Sequence, residues 1–335
     1  MNKDNIQKKS KAQKFSTIVA IIGLAGLIIS TIAFGFGART SFFISSGGIH
    51  TLPRDLHEFN LTIDEESTDI GIHVDNANVV VKRGDKLHVH ATYYDQAPDW
   101  YAGDIYVGYR HDGITAEWDE LRHGLRVIFS DGPSATRLNF GLSFHTDKTL
   151  TITVPDRLMD NFYVESKNGR VEVSNLASTE FKITNQNGAT RVNNITSEHI
   201  TIENENGLIR AHNISTGILN VGNQNGRIEV KDAIVDRVPN DNNQLSGITN
   251  QNGSINVENL SGRIVAHNQN GGINFTRMPG NKSDYFLHLL TENGSVRVDG
   301  AHGESRNLFT QGSDPTAKNS ISARNKNGSI RVDFN

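Results

Sequence analysis

Apolar and polar residues alternate along most of the chain after residue 160, with the period of two that is typical of a strand with one buried face. Phe181 and Ile183, for example, flank Lys182, and similar triplets recur in the segments that follow. A further apolar column returns once per segment, at positions such as Leu176 and Ile195. The pattern therefore predicts a long series of β-strands that share a single apolar interior.

The alternation is interrupted at regular intervals by the dipeptide Asn-Gly. Successive intervals are 19, 19, 19, 27, 18, 23 and 34 residues, so that one unit recurs with insertions in its later copies. Asn-Gly readily adopts the positive φ that a tight corner requires. The predicted corner residues are Asn168, Gly169, Asn187, Gly188, Asn206, Gly207, Asn225, Gly226, Asn252, Gly253, Asn270, Gly271, Asn293, Gly294, Asn327 and Gly328.

Each unit of about 19 residues is thus predicted as a strand, an Asn-Gly corner, a second strand and a second corner. One unit could not bury its apolar face alone, whereas stacked units would form a continuous core. The predicted fold class is all-β, a parallel β-helix-like solenoid. Antiparallel hairpins that each turn at Asn-Gly would also place the flanking apolar residues on one face, and they are the alternative.

A second asparagine stands two residues before six of the corners. In a solenoid these side chains would stack along one inner corner and satisfy their amide groups between neighbouring coils. The repeat itself requires them, and we therefore interpret them as structural rather than as ligand-binding residues. They are Asn185, Asn204, Asn223, Asn250, Asn268 and Asn325.

The N-terminal region has a different character. Residues 15–38 contain no charge and, as a helix, would span roughly 36 Å, enough to cross a bilayer core of about 30 Å. Five lysines precede this segment, and Arg39 follows it. The positive-inside rule then predicts a single-pass membrane protein with a cytoplasmic N-terminus and an extracytoplasmic ectodomain. A cleaved signal peptide is the alternative, although its apolar core is usually only about 7–15 residues long.

These signals divide the chain into five parts. They are a basic cytoplasmic tail (1–14), a transmembrane helix (15–38), a linker (39–59), an irregular β-rich part (60–165) and the Asn-Gly solenoid (166–335).

The irregular part contains both tryptophans and several tyrosines. Trp100, Tyr101 and Trp118 are the candidate contacts for a ligand or partner protein, because large amphipathic aromatics stack on sugars and are common in interfaces. The same segment could instead cap the open end of the solenoid, which must be covered to prevent edge-to-edge pairing.

The composition of the chain limits the kinds of binding site that it can contain. The chain has no cysteine, which excludes disulfides and thiolate sites, and its net charge of −4 gives it no long-range attraction for nucleic acid. His88 and His90 face the same side of a predicted strand, but no third ligand with zinc spacing accompanies them. We predict no metal and no cofactor.

A search for catalytic motifs gives little. No nucleophile elbow, P-loop or dinucleotide fingerprint is present. The polar position between the two apolar residues that follow each Asn-Gly is acidic in only two units, as Glu172 and Glu229. Carbohydrate-active enzymes on solenoid scaffolds need clustered carboxylates. We therefore predict no catalytic residues and a non-enzymatic protein.

The basic tail, the apolar anchor, the strand TLTITVP (149–155) and the unit VESKNGRVEVSNL (164–176) together resemble the putative-adhesin family of bacterial β-strand-repeat surface proteins, which includes membrane-anchored LiaG-like members. The resemblance covers about residues 60–335. It implies a location in the envelope of a Gram-positive bacterium, a link to envelope stress and a β-repeat fold, and it transfers no catalytic residues.

The expected function is that of an adhesin-like surface protein of the cell envelope. Its partners would be the membrane, through the anchor, and either cell-wall carbohydrate or a membrane protein, through the ectodomain. The alternative is a carbohydrate-active enzyme, a polysaccharide lyase or hydrolase, on a β-helix scaffold.

Overall fold

A computed structural model of the chain describes residues 40–45, 48–53, 56–63, 69–76, 78–94, 109–111, 114–119, 124–129, 149–236, 246–302, 306–314 and 317–335. The predicted tail and membrane segment lie outside these ranges. Within them, no helix has the length and apolar character needed to cross a membrane. The described secondary structure is almost entirely β, with one short 3-10 turn at Lys282–Asp284.

The strands in chain order are β1 (Thr40–Ser45), β2 (Gly48–Pro53), β3 (Leu56–Ile63), β4 (Asp69–Asn76), β5 (Asn78–Gly84), β6 (Leu87–Tyr94), β7 (Tyr109–His111), β8 (Ile114–Asp119), β9 (Gly124–Phe129), β10 (Thr149–Pro155), β11 (Leu158–Asn168), β12 (Val171–Asn187), β13 (Thr190–Asn206), β14 (Ile209–Asn225), β15 (Ile228–Val235), β16 (Gly247–Asn252), β17 (Ile255–Asn270), β18 (Ile273–Met278), β19 (Tyr285–Asn293), β20 (Val296–Val298), β21 (Ala301–His302), β22 (Leu308–Gln311), β23 (Asn319–Asn327) and β24 (Ile330–Phe334).

The chain forms two compact units. The first contains the antiparallel pair β1–β2. The second contains every strand from β4 to β24 and is the β-repeat body.

The body is a solenoid, in which each coil pairs in parallel with the next. In the most regular part, β12 pairs with β13 and β13 with β14 at a constant offset of 19 residues, so that Val171 lies beside Thr190 and Thr190 beside Ile209. Antiparallel hairpins at each Asn-Gly would require the two strands that flank a corner to pair with each other. They pair instead with the neighbouring coils, so the hairpin alternative is wrong.

The interior is made by the apolar columns that the alternation predicts. Val171, Ile209 and Ile228 are fully buried after their corners, and Leu176 and Ile195 are buried in the further column. Phe162 and Phe181 stack between adjacent coils, with ring centroids 5.1 Å apart.

The second corner is a single residue in the left-handed region. It is Asn or Asp in six coils and Arg277 in one, with φ between 49° and 60°. Asn and Asp tolerate this conformation better than other non-glycine residues, because their short polar side chains bond locally. The corner therefore falls at the polar residue that precedes the column of Leu176 and Ile195.

The N-terminal end of the body joins the stack through a less regular coil. Asn76 pairs with Asn168, and Val79 pairs with Val171, so β4 and β5 form the coil next to β11 and β12. β10 then lies between β5 and β6, parallel to the first and antiparallel to the second. β10 therefore separates β5 from β6, although these two strands follow each other in the chain.

The described part of the aromatic segment extends one sheet of this end. β9 pairs in parallel with β4, and β8 and β7 add to it as an antiparallel meander. Trp118 lies on β8, while Trp100 and Tyr101 fall outside the described residues.

Substitution of a corner glycine should be severe, in contrast to substitution of an outward glycine. Gly207 has φ +144°, and a Cβ there would meet the carbonyl oxygen of Gly188 at 2.0 Å, whereas a Cβ on Gly222 would meet nothing nearer than 3.6 Å. We expect Gly207→Ala to destabilise the protein by about 1–3 kcal/mol or more. Gly222→Ala should be neutral or stabilising by about 0.5–1 kcal/mol. Urea unfolding midpoints measure both, and equal midpoints would contradict the close packing of the corners.

Removal of one whole coil should be tolerated. Deletion of residues 188–206 joins Asn187 to Gly207 and restores an Asn-Gly corner in register with its neighbours. Deletion of only residues 188–196 would move inward residues to the outer face, because side chains alternate along a strand. Circular dichroism and thermal melting should show a cooperative β-protein for the first deletion and loss of cooperativity for the second.

Candidate functional site

The Asn-Gly corners form two columns of backbone and side-chain contacts that hold the coils together. Seven of the eight corner glycines have φ between 124° and 144°. At Gly188, Gly207, Gly226 and the equivalent positions, an added Cβ would lie about 2 Å from the glycine carbonyl of the adjacent coil. Only a glycine permits this approach of one backbone to another, in addition to the positive φ.

The corner asparagines form a continuous ladder of side-chain amides on the surface. Each Nδ2 donates to the Oδ1 of the adjacent asparagine at 2.9–3.0 Å, from Asn187 to Asn168, from Asn206 to Asn187 and onward through the stack. The sequence predicted an amide ladder, but it placed that ladder at the inner asparagines.

The inner asparagines instead bond to the backbone. The Nδ2 atoms of Asn204 and Asn223 donate to the carbonyl oxygens of Gly188 and Gly207 at 2.8 Å, and the other members of the column do the same at 2.7–3.2 Å. These side chains are at most 5% exposed. Thr291 replaces asparagine in the outermost coil and donates to the Gly328 carbonyl at 2.7 Å. The inner column is therefore a set of donors to the corner carbonyls.

The residues that follow each Asn-Gly corner form one face of the body, called the post-corner face below. Most of the charged side chains on this face are paired. Glu172 accepts from Arg191 at 2.8 Å, and Glu229 accepts from Arg210 at 2.7 Å and from Arg227 at 3.2 Å. Because Arg191 and Arg210 lie on the coils next to those of Glu172 and Glu229, these two pairs stabilise the stack.

A groove lined by polar residues crosses another face of the body, which is formed by the residues that precede each Asn-Gly corner. Its volume is about 710 Å³, and it extends over seven coils, from Thr184 to the coil that carries Glu292. Coils in a β-solenoid stack at the strand spacing of about 4.8 Å, so six steps give a groove of roughly 29 Å. Its size and position make it the candidate functional site.

Two outward positions of each coil form the walls of this groove. One position is the residue between the inner and the corner asparagine, which provides Glu205, Gln224, Gln251, Gln269 and Lys326. The other lies two residues earlier and provides Glu203, Gly222, Thr249, His267 and Arg324. Gly222 has no side chain, so the centre of the groove has an open floor.

The charges of the groove are separated along its length. Glu203 and Glu205 lie on one coil, three uncharged glutamines follow on the next three, and Arg324 and Lys326 come after them. Arg324 donates to Glu292 at 2.9 Å. No described residue forms a hydrogen bond with the side chains of the three glutamines, whose amides can therefore donate to and accept from a ligand.

Candidate metal sites and aromatic contacts do not coincide with this groove. Among the described residues, no group of three or more His, Asp or Glu side chains could hold a metal ion. His88 and His90 bond separately, to Thr62 at 2.9 Å and to Asn60 at 2.8 Å. No aromatic residue of the described ranges lines the groove.

The groove residues were not predicted from the sequence, although a signal for them was available. Asn-Gln-Asn-Gly occurs four times, at 185–188, 223–226, 250–253 and 268–271. The glutamine between two structural asparagines points outward in every copy. A residue that is repeated on an outer face, where packing does not require it, indicates a surface property of the repeat.

An alanine at an inner asparagine tests the structural role of this column. Asn223→Ala leaves the buried Gly207 carbonyl without its donor, which should destabilise the protein by about 1–3 kcal/mol. Asn223→Thr should recover part of this loss, because Thr291 already makes the equivalent bond. Unfolding midpoints measure the difference. A threonine variant as unstable as the alanine variant would contradict the proposed role of the donor.

The chain is similar to one protein family and to several solved structures. The family model described as Toastrack DUF4097 matches residues 67–333. The chain is similar to three solved structures. A putative cell adhesion protein from Clostridium sporogenes is 12% identical, with a TM-score of 0.29, and the match covers 84% of this chain and 100% of that one. A putative adhesin from Bacteroides fragilis is 13% identical, with a TM-score of 0.34 and coverages of 83% and 97%. A putative adhesin from Parabacteroides merdae is 9% identical, with a TM-score of 0.28 and coverages of 84% and 97%. No match was found among curated proteins.

Proposed function

The chain belongs to the Toastrack DUF4097 family, and from that premise we propose that it is a non-enzymatic, adhesin-like binding protein of the cell envelope. Residues 15–38 hold it in the cell membrane, with the lysine-rich tail in the cytoplasm and the β-repeat body outside. The groove on the body binds an extended carbohydrate chain of the cell wall.

The observation that carries this proposal is the row of glutamines in the groove. Gln224, Gln251 and Gln269 present one amide per coil, at intervals of about 4.8 Å, and no described residue satisfies these amides. A linear polymer with hydroxyl groups along its length can bond to such a row, since each amide offers two donors and one acceptor oxygen. A compact small molecule would reach only one or two of these coils.

The electrostatics of the body support a neutral or weakly charged ligand. The charges on the post-corner face pair with one another, and the groove itself carries both acidic and basic residues at separate positions. With a net charge of −4, the chain has no long-range attraction for a polyanion. Local hydrogen bonding in the groove would therefore select the ligand.

One feature favours the enzymatic alternative, a polysaccharide lyase or hydrolase. Glu203 and Glu205 are both outward on β13, where residues two apart are about 6.5–7 Å from each other. Paired carboxylates at such separations catalyse glycoside hydrolysis when they flank the scissile bond. Here both residues are exposed and stand on the same strand, so they approach a bound chain from one side. This arrangement fits binding better than catalysis.

Filling the floor of the groove should weaken binding without unfolding the protein. Gly222 has room for a side chain, and a tryptophan there would occupy the space between Glu203 and Thr249. We expect Gly222→Trp to reduce the binding of the full chain to isolated cell-wall polysaccharide by at least about tenfold, the equivalent of some 1.4 kcal/mol. Sedimentation with the polysaccharide measures the bound fraction.

A matched control is Ser215→Trp, which adds the same side chain at an exposed position of the same coil outside the groove. This variant should bind as the unmodified chain does. Equal binding by both tryptophan variants would exclude the groove. Release of soluble sugar by the unmodified chain, with loss of this release in Glu203→Gln or Glu205→Gln, would establish the enzyme instead.

A further inference from the structure

The coils at the C-terminal end are not stacked in sequence order. β23 pairs in parallel with β17 on one side, where Ile264 lies beside Ile321, and with β19 on the other, where Leu287 lies beside Ile321. β24 lies in the same way between β18 and β20. Residues 319–335 are therefore inserted between two coils that precede them in the chain.

This C-terminal segment, residues 319–335, holds the outermost coil in place. Within the described ranges, β19 and β20 pair only with this segment and with the antiparallel strands β22 and β21. In the part of the chain that the structure describes, no backbone pairing connects β19 or β20 directly to β17 or β18. Without the segment, the stack would end at β17 and β18 with an open edge, and the outer coil would present a second one.

The space between these two edges, called the slot below, is specific for the segment that it holds. Asn325 donates to the Gly271 carbonyl at 2.7 Å, and Asn327 bonds to the corner asparagines on both sides. A Cβ on Gly328 would meet the Gly271 carbonyl oxygen at 2.0 Å, so only glycine fits that position. Between these polar contacts, the segment buries Ile321, Ala323, Ile330 and Val332.

The segment also differs from the regular coils in how it joins the stack. Its neighbours on both sides, β17–β18 and β19–β20, precede it in the chain, so it can leave or enter the slot while their own connections stay intact. Seven residues, 312–318, connect it to β22, and at full extension they reach about 25 Å. An added strand that completes an open sheet edge gains main-chain hydrogen bonds along its whole length.

We propose that the slot is a strand-binding site that exchanges this segment between copies, so that residues 319–335 of one molecule fill the slot of a second. The contacts in the slot are the same whether the strand comes from the same chain or from another copy. Exchange of identical elements is a low-cost route to association. Anchorage of many copies in one membrane would favour it by raising their local concentration, although exchange does not depend on the proposed carbohydrate site.

A disulfide between two introduced cysteines tests the exchange directly, because the chain has no cysteine of its own. Val265 and Ser322 are register partners on β17 and β23, at a separation that suits a disulfide. One full chain carries Val265→Cys and a second carries Ser322→Cys. After co-expression and mild oxidation, exchange predicts a disulfide-linked heterodimer on a non-reducing gel.

Two controls give this experiment a definite outcome. A chain with both substitutions should form the disulfide within one molecule, which shows that the geometry permits it. In the second control, a chain with Ser215→Cys is co-expressed with the chain that carries Ser322→Cys. Ser215 has no register partner in the segment, so this mixture should give no heterodimer. If the double variant closes and the first mixture gives no more heterodimer than the Ser215→Cys mixture, the proposal is wrong.

A second measurement is used if the double variant does not form its intramolecular disulfide. In a full chain with Gly328→Val, residues 319–335 can no longer occupy the slot. The slot is then available to a labelled peptide of residues 319–335. We expect this peptide to bind, and the same peptide with Gly328→Val to bind about 10- to 100-fold more weakly because of strain at that position. Equal affinity of the two peptides, or no binding of either, would overturn the proposal.

Discussion

The close approach of one coil's glycine to the glycine carbonyl of the next is the constraint on which the rest of the structure depends. At Gly207 no side chain could fit between the two backbones, and the same is true along the whole column. The approach leaves each glycine carbonyl facing an inner asparagine, which donates to it. It also brings the corner asparagines close enough to bond to one another. One steric requirement thus explains the glycine and the corner asparagine of each unit, and the inner asparagine of six of the eight units.

This constraint explains how much of the fold could be predicted. Alternation placed Val171, Val173 and Leu176 inside, and the period of 19 residues placed each unit beside the next, because both signals are local and repeat in every coil. The ladder was expected at Asn185 and formed at Asn187. Both residues recur with the same period, so periodicity alone could not distinguish a donor to a carbonyl from a donor to another amide.

The order of the last coils could not be predicted for a related reason. Any coil with the Asn-Gly unit offers the same edge to any other, so the repeat does not encode which unit follows which. The connections decide the order. Residues 299–318 contain β21 and β22, which cover the outer edge of β20 and β19 as antiparallel strands. The chain then returns to the edge that is still open, between β18 and β20. A long connection with strands of its own was the only sign of this in the sequence.

The equivalence of the units also explains why the candidate site was hard to find. Inward positions are restricted by packing, whereas outward positions such as Gln224 and Gln251 are free to vary. The groove arises where several neighbouring coils carry outward polar side chains and one position, Gly222, has none. The groove is therefore formed by several units together and cannot be recognised in any single unit. The same equivalence that lets a column of amides line up along the groove lets a strand fit between two coils that precede it in the chain. The proposed binding and the proposed strand exchange therefore both depend on identical edges at a constant spacing.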